Sequence, residues 1–206
     1  RDSNGSDSGS VYLFFGATLW EGSGSFYLDE ADYEFYGPSS YLYSGRSVAS
    51  AGDVDGDSLP DILVGAYGGE GYAYLLSSGT LSPAGGSYNL GNAGWSFTGE
   101  SDNAGFAVSG AGDVDGDGLG DFLVGEPLND DMSSNTGKAY LVMASSLPAG
   151  GEISLSSVDF AFSGESSDDY LGHAVSAAGD VDGDGYADLL FGAYLNDYGG
   201  SDAGKA

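Results

Sequence analysis

Cysteine is absent from the 206 residues, which excludes disulfide frameworks, thiolate zinc centres and cysteine nucleophiles together. Positive charge is nearly absent as well. Four Lys and Arg against 32 Asp and Glu give a formal net charge of -28, so nucleic acid and anionic membrane surfaces are poor partners. With only 5 prolines and no Gly-X-Y period, the 38 glycines do not signal a collagen and point instead to frequent turns. Long apolar runs are also missing. The longest, Val11 to Trp20, is broken by Gly16 and Thr18 and is about half the length needed to span a bilayer, so no membrane insertion is expected. Arg1-Asp2-Ser3 does not open a secretory leader, and the chain reads as a mature or excised soluble segment. Leu, Ile, Val and Phe supply only 43 of the 206 residues, close to the composition of chains that stay disordered, so a fold must be argued from patterning.

A repeat provides that patterning. SVASAGDVDGDSLPDILVGAY from Ser47, AVSGAGDVDGDGLGDFLVGEP from Ala107 and AVSAAGDVDGDGYADLLFGAY from Ala174 align without gaps. Glycine-led strands recur at Gly9, Gly71 and Gly137, with a clipped copy at Gly204, and FTGES at Phe97 and FSGES at Phe162 are matched loosely by FYGPS at Phe35. Each unit holds four short runs of strand character with no helical period, and the simple reading is a four-stranded antiparallel meander. Ile62-Leu63-Val64, Phe122-Leu123-Val124 and Leu189-Leu190-Phe191 are apolar at consecutive positions and need cover on both faces. The neighbouring strands AVSGAG and AVSAAG carry small side chains, as expected where radially arranged sheets converge. The expected fold is all-β, with β-propeller-type blades in a partial propeller or an open blade array. Its expected organisation is a half-blade at 1–36, blades at 37–98 and 99–163, and a second half-blade at 164–206.

Every long match contains D-x-D-x-D-x-x-x-D: Asp53, Asp55, Asp57 and Asp61; Asp113, Asp115, Asp117 and Asp121; Asp180, Asp182, Asp184 and Asp188. Four carboxylates in one tight loop repel each other unless a cation sits among them, and all-oxygen donors without His or Cys select a hard ion. Calcium fits this donor set, giving three expected Ca2+ sites. By analogy with other calcium loops, the carbonyls of Leu59, Leu119 and Tyr186 at position 7 complete the ligands. An EF-hand is excluded because position 12 is Val64, Val124 or Phe191 inside a strand, where that motif needs a Glu. The competing reading is a set of acidic, glycine-rich hairpin turns, and recurrence in one strand context argues against it. Gly118 and Gly185 occupy position 6, where positive φ is expected, while Ser58 in the first loop predicts the weakest site.

GHAVSAAGDVDGDGYADLLFGAY and GFAVSGAGDVDGDGLGDFLVGEP resemble FG-GAP repeats, the blades of the integrin α-subunit propeller and of many bacterial and algal extracellular proteins. The resemblance covers nearly the whole chain, because Gly-led strand, aspartate nonapeptide and following GAY or GEP recur in order. It implies that the calcium loop joins strands 1 and 2 of each blade on one face. Ligand-contacting loops would then lie on the opposite face, near 37–44, 67–70, 99–104, 126–136, 164–171 and 194–203. Members of the family usually form seven-bladed rings, and this chain carries about three repeats.

The function these features predict is a noncatalytic, calcium-stabilised extracellular structural or adhesion module. Alternatives are a fragment of a larger propeller that binds a protein or glycan ligand, and the accessory propeller of a polysaccharide-active enzyme. Catalysis on acidic sugars needs cations and a tuned base, yet only Arg1, Arg46, Lys138, Lys205 and the single His173 are available, and they fall at scattered repeat phases. His173 stands where Arg46 and Phe106 stand in the other copies and reads as a packing residue. Tyr12, Tyr74 and Tyr140, like Phe35, Phe97 and Phe162, recur at fixed strand positions and predict packing between blades. Tyr67, Tyr194 and Tyr198 lie at or beyond strand ends and are the surface candidates. Asn4-Gly5-Ser6 is the one N-glycosylation sequon. Since residues 9–36 supply the last two strands of a blade and 172–194 the first two, the halves are complementary, and head-to-tail self-association into a ring or filament is expected.

Overall fold

Alternating and fully apolar runs become strands wherever the repeat places them. The computed structural model describes residues 4–21, 24–100 and 103–206. Arg1, the Arg1-Asp2-Ser3 leader reading and part of the 99–104 loop lie outside the described residues. In chain order the elements are β1 (Ser10–Leu13), α1 (Gly16–Glu21), β2 (Tyr33–Tyr36), β3 (Ser44–Gly52), β4 (Asp61–Ala66), β5 (Tyr72–Leu76), β6 (Gly86–Asn89) and β7 (Trp95–Thr98). They continue with β8 (Ala107–Gly112), β9 (Asp121–Glu126), β10 (Lys138–Val142), β11 (Gly151–Ser154), β12 (Phe160–Ser163), β13 (Ala174–Gly179) and β14 (Asp188–Gly192).

The chain is all-β apart from α1 and short 3-10 turns, and its antiparallel sheets form a partial propeller rather than a closed barrel. One blade is β3-β4-β5-β7 and the next is β8-β9-β10-β12, each antiparallel throughout. On one side of them β1 pairs with β2, and on the other β13 pairs with β14. The simple meander needs one correction. The segment leading from the third to the fourth strand of a blade pairs, in parallel, with the outer strand of the preceding sheet: β6 with β2, and β11 with β7. These segments are half exposed and gain their hydrogen bonds only from a neighbouring sheet, so no alternation within a unit marks them.

Inner strands converge: β8 lies between β3 and β13. Their small side chains let the backbones approach, and a Cβ on Gly110 would come within 2.6 Å of the Ser50 carbonyl oxygen. Two further glycines set the spacing at the far end of the second strands. A Cβ on Gly65 would lie 2.0 Å from the Gly105 oxygen, and one on Gly125 would lie 2.0 Å from the Gly172 oxygen. Only a residue without a side chain permits either contact. With sheets this close, β4 and β9 are buried almost end to end, with Leu63, Val64, Leu123 and Val124 fully covered. Phe97 meets Phe122 of the following blade edge to face at 5.1 Å, and Phe162 meets Phe191 at 4.5 Å, so the recurring phenylalanines do pack between sheets. The third apolar run differs: Leu190 in β14 is half exposed, with no further sheet over it among the described residues.

The repeat thus supplies its own control. Gly125→Ala should lower stability by about 1–3 kcal/mol through backbone collision. Gly192→Ala, at the same repeat position with ordinary contact to Ala174 at 3.5 Å, should leave monomer stability within about 0.5 kcal/mol. Thermal melting of the two variants checks the difference, and equal losses would refute a steric role for Gly125.

Candidate functional site

The three aspartate nonapeptides connect the first strand of each pair to the second: β3 to β4, β8 to β9 and β13 to β14. They sit side by side at one end of the array. A Cβ on Gly56 would lie 3.5 Å from Leu119 Cδ2, and one on Gly116 would lie 3.2 Å from Tyr186 Cε1, so the position-7 side chains of the second and third loops rest on the loop before them.

Inside a loop the carboxylates fold the backbone around themselves. In the first, Asp53 Oδ1 accepts from the Gly56 N–H at 2.8 Å and Oδ2 from the Ser58 N–H at 2.9 Å. Asp55 Oδ1 accepts from the Asp57 N–H at 3.1 Å, and Asp57 Oδ1 from the Leu59 N–H at 2.8 Å. Corresponding bonds run from Gly116 and Gly118 to Asp113, from Gly183 and Gly185 to Asp180, from Asp117 to Asp115 and from Asp184 to Asp182. The Leu119 and Tyr186 N–H groups donate to Asp117 and Asp184. Position 6 has positive φ in every copy, 70° at Ser58, 90° at Gly118 and 96° at Gly185. The first loop therefore holds a β-carbon in a conformation the others give to glycine.

The ninth residue differs from the other three. Asp61 and Asp121 are fully buried, and each ties its loop to the 3-10 turn that follows the third strand. Asp61 accepts from the Val54 N–H at 2.9 Å and the Ser78 N–H at 3.0 Å, and Asp121 from Val114 at 2.8 Å and Ala144 at 2.9 Å. Burial pushes both carboxyls above their ordinary range, against the lowering effect of these N–H donors, and neighbouring aspartates add to the rise. Asp188 accepts from the Val181 N–H at 2.8 Å.

Three groups of carboxylates place one oxygen per residue within 4.8 Å of one another: Asp53, Asp55 and Asp57; Asp113, Asp115 and Asp121; Asp180, Asp182 and Asp188. Two oxygens bound to one calcium ion at about 2.3–2.6 Å can be no more than about 5 Å apart, so the spacing suits that ion. The donor chemistry fits as well, being oxygen throughout.

At the opposite end, residues from successive sheets form an aromatic row. Tyr43 stacks on Tyr67 at 5.1 Å, Tyr67 meets Phe106 at 5.8 Å, Phe106 meets His173 at 4.7 Å, and His173 meets Tyr194 at 4.5 Å. The Arg46 guanidinium lies 4.0 Å from the Phe106 centroid. His173 is a packing residue, as its repeat position suggests, and burial together with Arg46 holds its imidazole below the ordinary range. Of the three surface tyrosines, Tyr194 and Tyr198 are exposed and Tyr67 is partly covered by its neighbours. Asn4 of the sequon uses its amide on the carbonyls of Gly37 and Pro38.

The lysines are not scattered, contrary to the sequence reading. Lys138 and Lys205 occupy one repeat phase, and each pairs with the glutamate that ends the preceding blade: Lys138 with Glu100 at 3.1 Å and Lys205 with Glu165 at 2.6 Å. Lys138 also contacts Asp131. Behind it, fully buried Glu126 accepts from the Tyr140 hydroxyl at 2.5 Å and the Asn129 amide at 2.9 Å. Glu126 stands where the other copies have Ala66 and Ala193, and this exchange of GAY for GEP was the available signal for a polar, blade-specific network.

Comparison with known proteins agrees with the repeat. The model of the FG-GAP repeat matches residues 44–76, 104–142 and 171–206, together more than half of the chain. Integrin alpha-PS2 of Drosophila melanogaster is 32% identical over 168 residues, covering 75% of this chain, which spans 12% of the length of that relative. On the strength of its strands, its loops and this match, the chain belongs to the FG-GAP repeat family.

Proposed function

We propose that the chain is a calcium-braced, noncatalytic adhesion module of the cell surface or extracellular space, presenting a protein or glycan ligand with the end opposite its aspartate loops. One observation carries this reading. Three times, in the same strand connection, carboxylate oxygens converge to within the span of a single hard cation. The ligands would be Asp53, Asp55, Asp57 and Asp61 with the Leu59 carbonyl, Asp113, Asp115, Asp117 and Asp121 with that of Leu119, and Asp180, Asp182, Asp184 and Asp188 with that of Tyr186. Bound calcium would supply positive charge to a loop that holds four carboxylates, and the residues themselves do the rest. Asp61 and Asp121 pass the loop's position on to the 3-10 turns through Ser78 and Ala144. The adhesion role is supported by membership of a repeat family that includes an integrin subunit, and the extracellular setting by that relative together with the net charge of -28. Among the described residues no helix is long and apolar enough to cross a membrane.

A ligand at about 100 times its dissociation constant stabilises the folded state by about 2.7 kcal/mol per site, so three sites would exceed half of a typical folding stability. Chelation should lower the melting temperature by roughly 15–30 °C, and Asp115→Ala or Asp182→Ala should each remove roughly one third of that shift. Unchanged melting together with native material free of calcium would overturn the assignment. Ser58→Gly should tighten the first site by about fivefold in calorimetry, the equivalent of about 1 kcal/mol of relieved backbone strain. Incubation with acidic and neutral glycans should release no new chain ends, and any turnover would refute the noncatalytic part.

A further inference from the structure

The repeat allows one joint between sheets to be compared with the next, and two of them are filled differently. Between the blade β3-β4-β5-β7 and the blade β8-β9-β10-β12, the Tyr140 hydroxyl lies 2.5 Å from Glu126 and 3.2 Å from Glu100, and Lys138 pairs with Glu100 at 3.1 Å. One joint earlier, Tyr74 stands at the repeat position of Tyr140, but Ala66 replaces Glu126, Pro38 replaces Glu100 and Tyr72 replaces Lys138. Both carboxylates that serve the tyrosine hydroxyl are therefore missing. A cavity of about 240 Å³ lies at this joint, with Tyr72 and Tyr74 in one wall and Pro38, Leu42 and Leu90 in the other.

Tyr74 is only 3% exposed, yet among the described residues its hydroxyl has no hydrogen-bond partner. A buried hydroxyl is costly to leave in that state. The strand registers place further polar groups beside it. Tyr74 of β5 is opposite Ser96 of β7, and Ser96 is opposite Glu152 of β11, so the three side chains form a row on one face at the strand spacing of about 4.8 Å. Ser96 and Glu152 also line the cavity, and among the described residues neither side chain makes a hydrogen bond. Burial, with Tyr72 and the Glu152 carboxylate adding to it, keeps the Tyr74 hydroxyl protonated well beyond the ordinary tyrosine range. The row thus offers a proton at its buried end and a carboxylate at its exposed one.

We propose that this cavity binds one neutral pyranose ring of a glycan, whose hydroxyls accept from the Tyr74 O–H and donate to the Glu152 carboxylate. The volume falls below the roughly 300–1,000 Å³ of pockets for drug-sized ligands, so a single ring enters and the rest of the glycan leaves past Glu152. Charge narrows the choice. No Lys, Arg or His lines the cavity, and with Glu152 at its rim an anionic group is repelled. An alkylammonium group would satisfy Glu152 but has no lone pair, so the Tyr74 proton would stay unpaired, whereas a sugar hydroxyl both donates and accepts. Pro38, Leu42 and Leu90 supply apolar surface for the C–H face of the ring. This deepens the glycan part of the function proposed above and rests on that reading for the kind of partner.

The test titrates the whole chain, with calcium present and folding checked by melting, against the neutral methyl glycosides of glucose, mannose, galactose and N-acetylglucosamine, using saturation-transfer NMR. Butylammonium and methyl glucuronide serve as the charged controls. At least one neutral glycoside should bind with a Kd of about 1 mM, the affinity of a ligand of this size at ordinary efficiency. Tyr74→Phe and Glu152→Gln should each weaken it by about tenfold or more, and Tyr74→Phe should melt no lower than the wild type because it removes an unpaired hydroxyl. Tyr140→Phe should do the reverse, lowering the melting temperature while leaving glycoside binding unchanged. A folded chain that binds none of the four glycosides, its cavity holding water alone, would overturn the proposal, and so would binding of either charged control in their place. Glycoside binding indifferent to Tyr74→Phe would overturn the cavity assignment while leaving the glycan part of the proposed function standing.

Discussion

Contact between bare backbones of neighbouring sheets is the constraint on which the remaining structure depends. Gly65 against Gly105 and Gly125 against Gly172 bring the second strand of one blade and the entry to the next closer than any side chain would allow. Once that spacing is set, Ala and Ser suffice along the inner strands, and the bulk needed further out is met by Phe97 on Phe122 and by the fully buried leucines of β4 and β9. This is how a chain with few aliphatic residues keeps a core: both faces of the central sheets serve, so Leu63 and Val64, on opposite faces of β4, are both fully buried.

Most of the architecture was legible because it is periodic and local. Strand runs, glycine-led starts and aspartate loops recur at fixed offsets, and recurrence separates signal from composition. What escaped was non-local. The parallel strands β6 and β11 are stabilised by a different sheet from the one their neighbours in sequence belong to, and each is only half buried. A trace was present all the same, in Gly-Ser-Phe-Tyr-Leu from Gly24, Gly-Ser-Tyr-Asn-Leu from Gly86 and Gly-Glu-Ile-Ser-Leu from Gly151. Helix α1 was hidden for another reason, standing where the other copies have only the 3-10 turns Ser78–Thr80 and Ala144–Ser146, and anchored where Asp32 accepts from the Phe15 N–H and the Thr18 hydroxyl.

The loops were readable as to residue type and position, but their division of labour was not. Sequence spacing treats four aspartates alike. The structure buries the ninth residue of the first two loops, Asp61 and Asp121, and commits each to two N–H donors, while the carboxylates that converge are Asp53, Asp55 and Asp57 in the first loop but include the ninth residue, Asp121 or Asp188, in the other two. That distinction arises from the 3-10 turns after β5 and β10, which reach the loops from outside the nonapeptide. The scarce cations follow a similar logic. Lys138 and Lys205 each span from one blade to the end of the previous one, so basic residues are spent on joints between sheets.

The backward reach of β11 onto β7 also bears on how such arrays lengthen. Because each blade caps the outer strand of its predecessor, a duplicated unit inserted anywhere brings its own cap and accepts the next. The number of open strand edges is then fixed by the two ends and does not rise with blade count. Growth by duplication therefore dilutes the exposed fraction, and the liability that edges present to a soluble protein falls with every unit added.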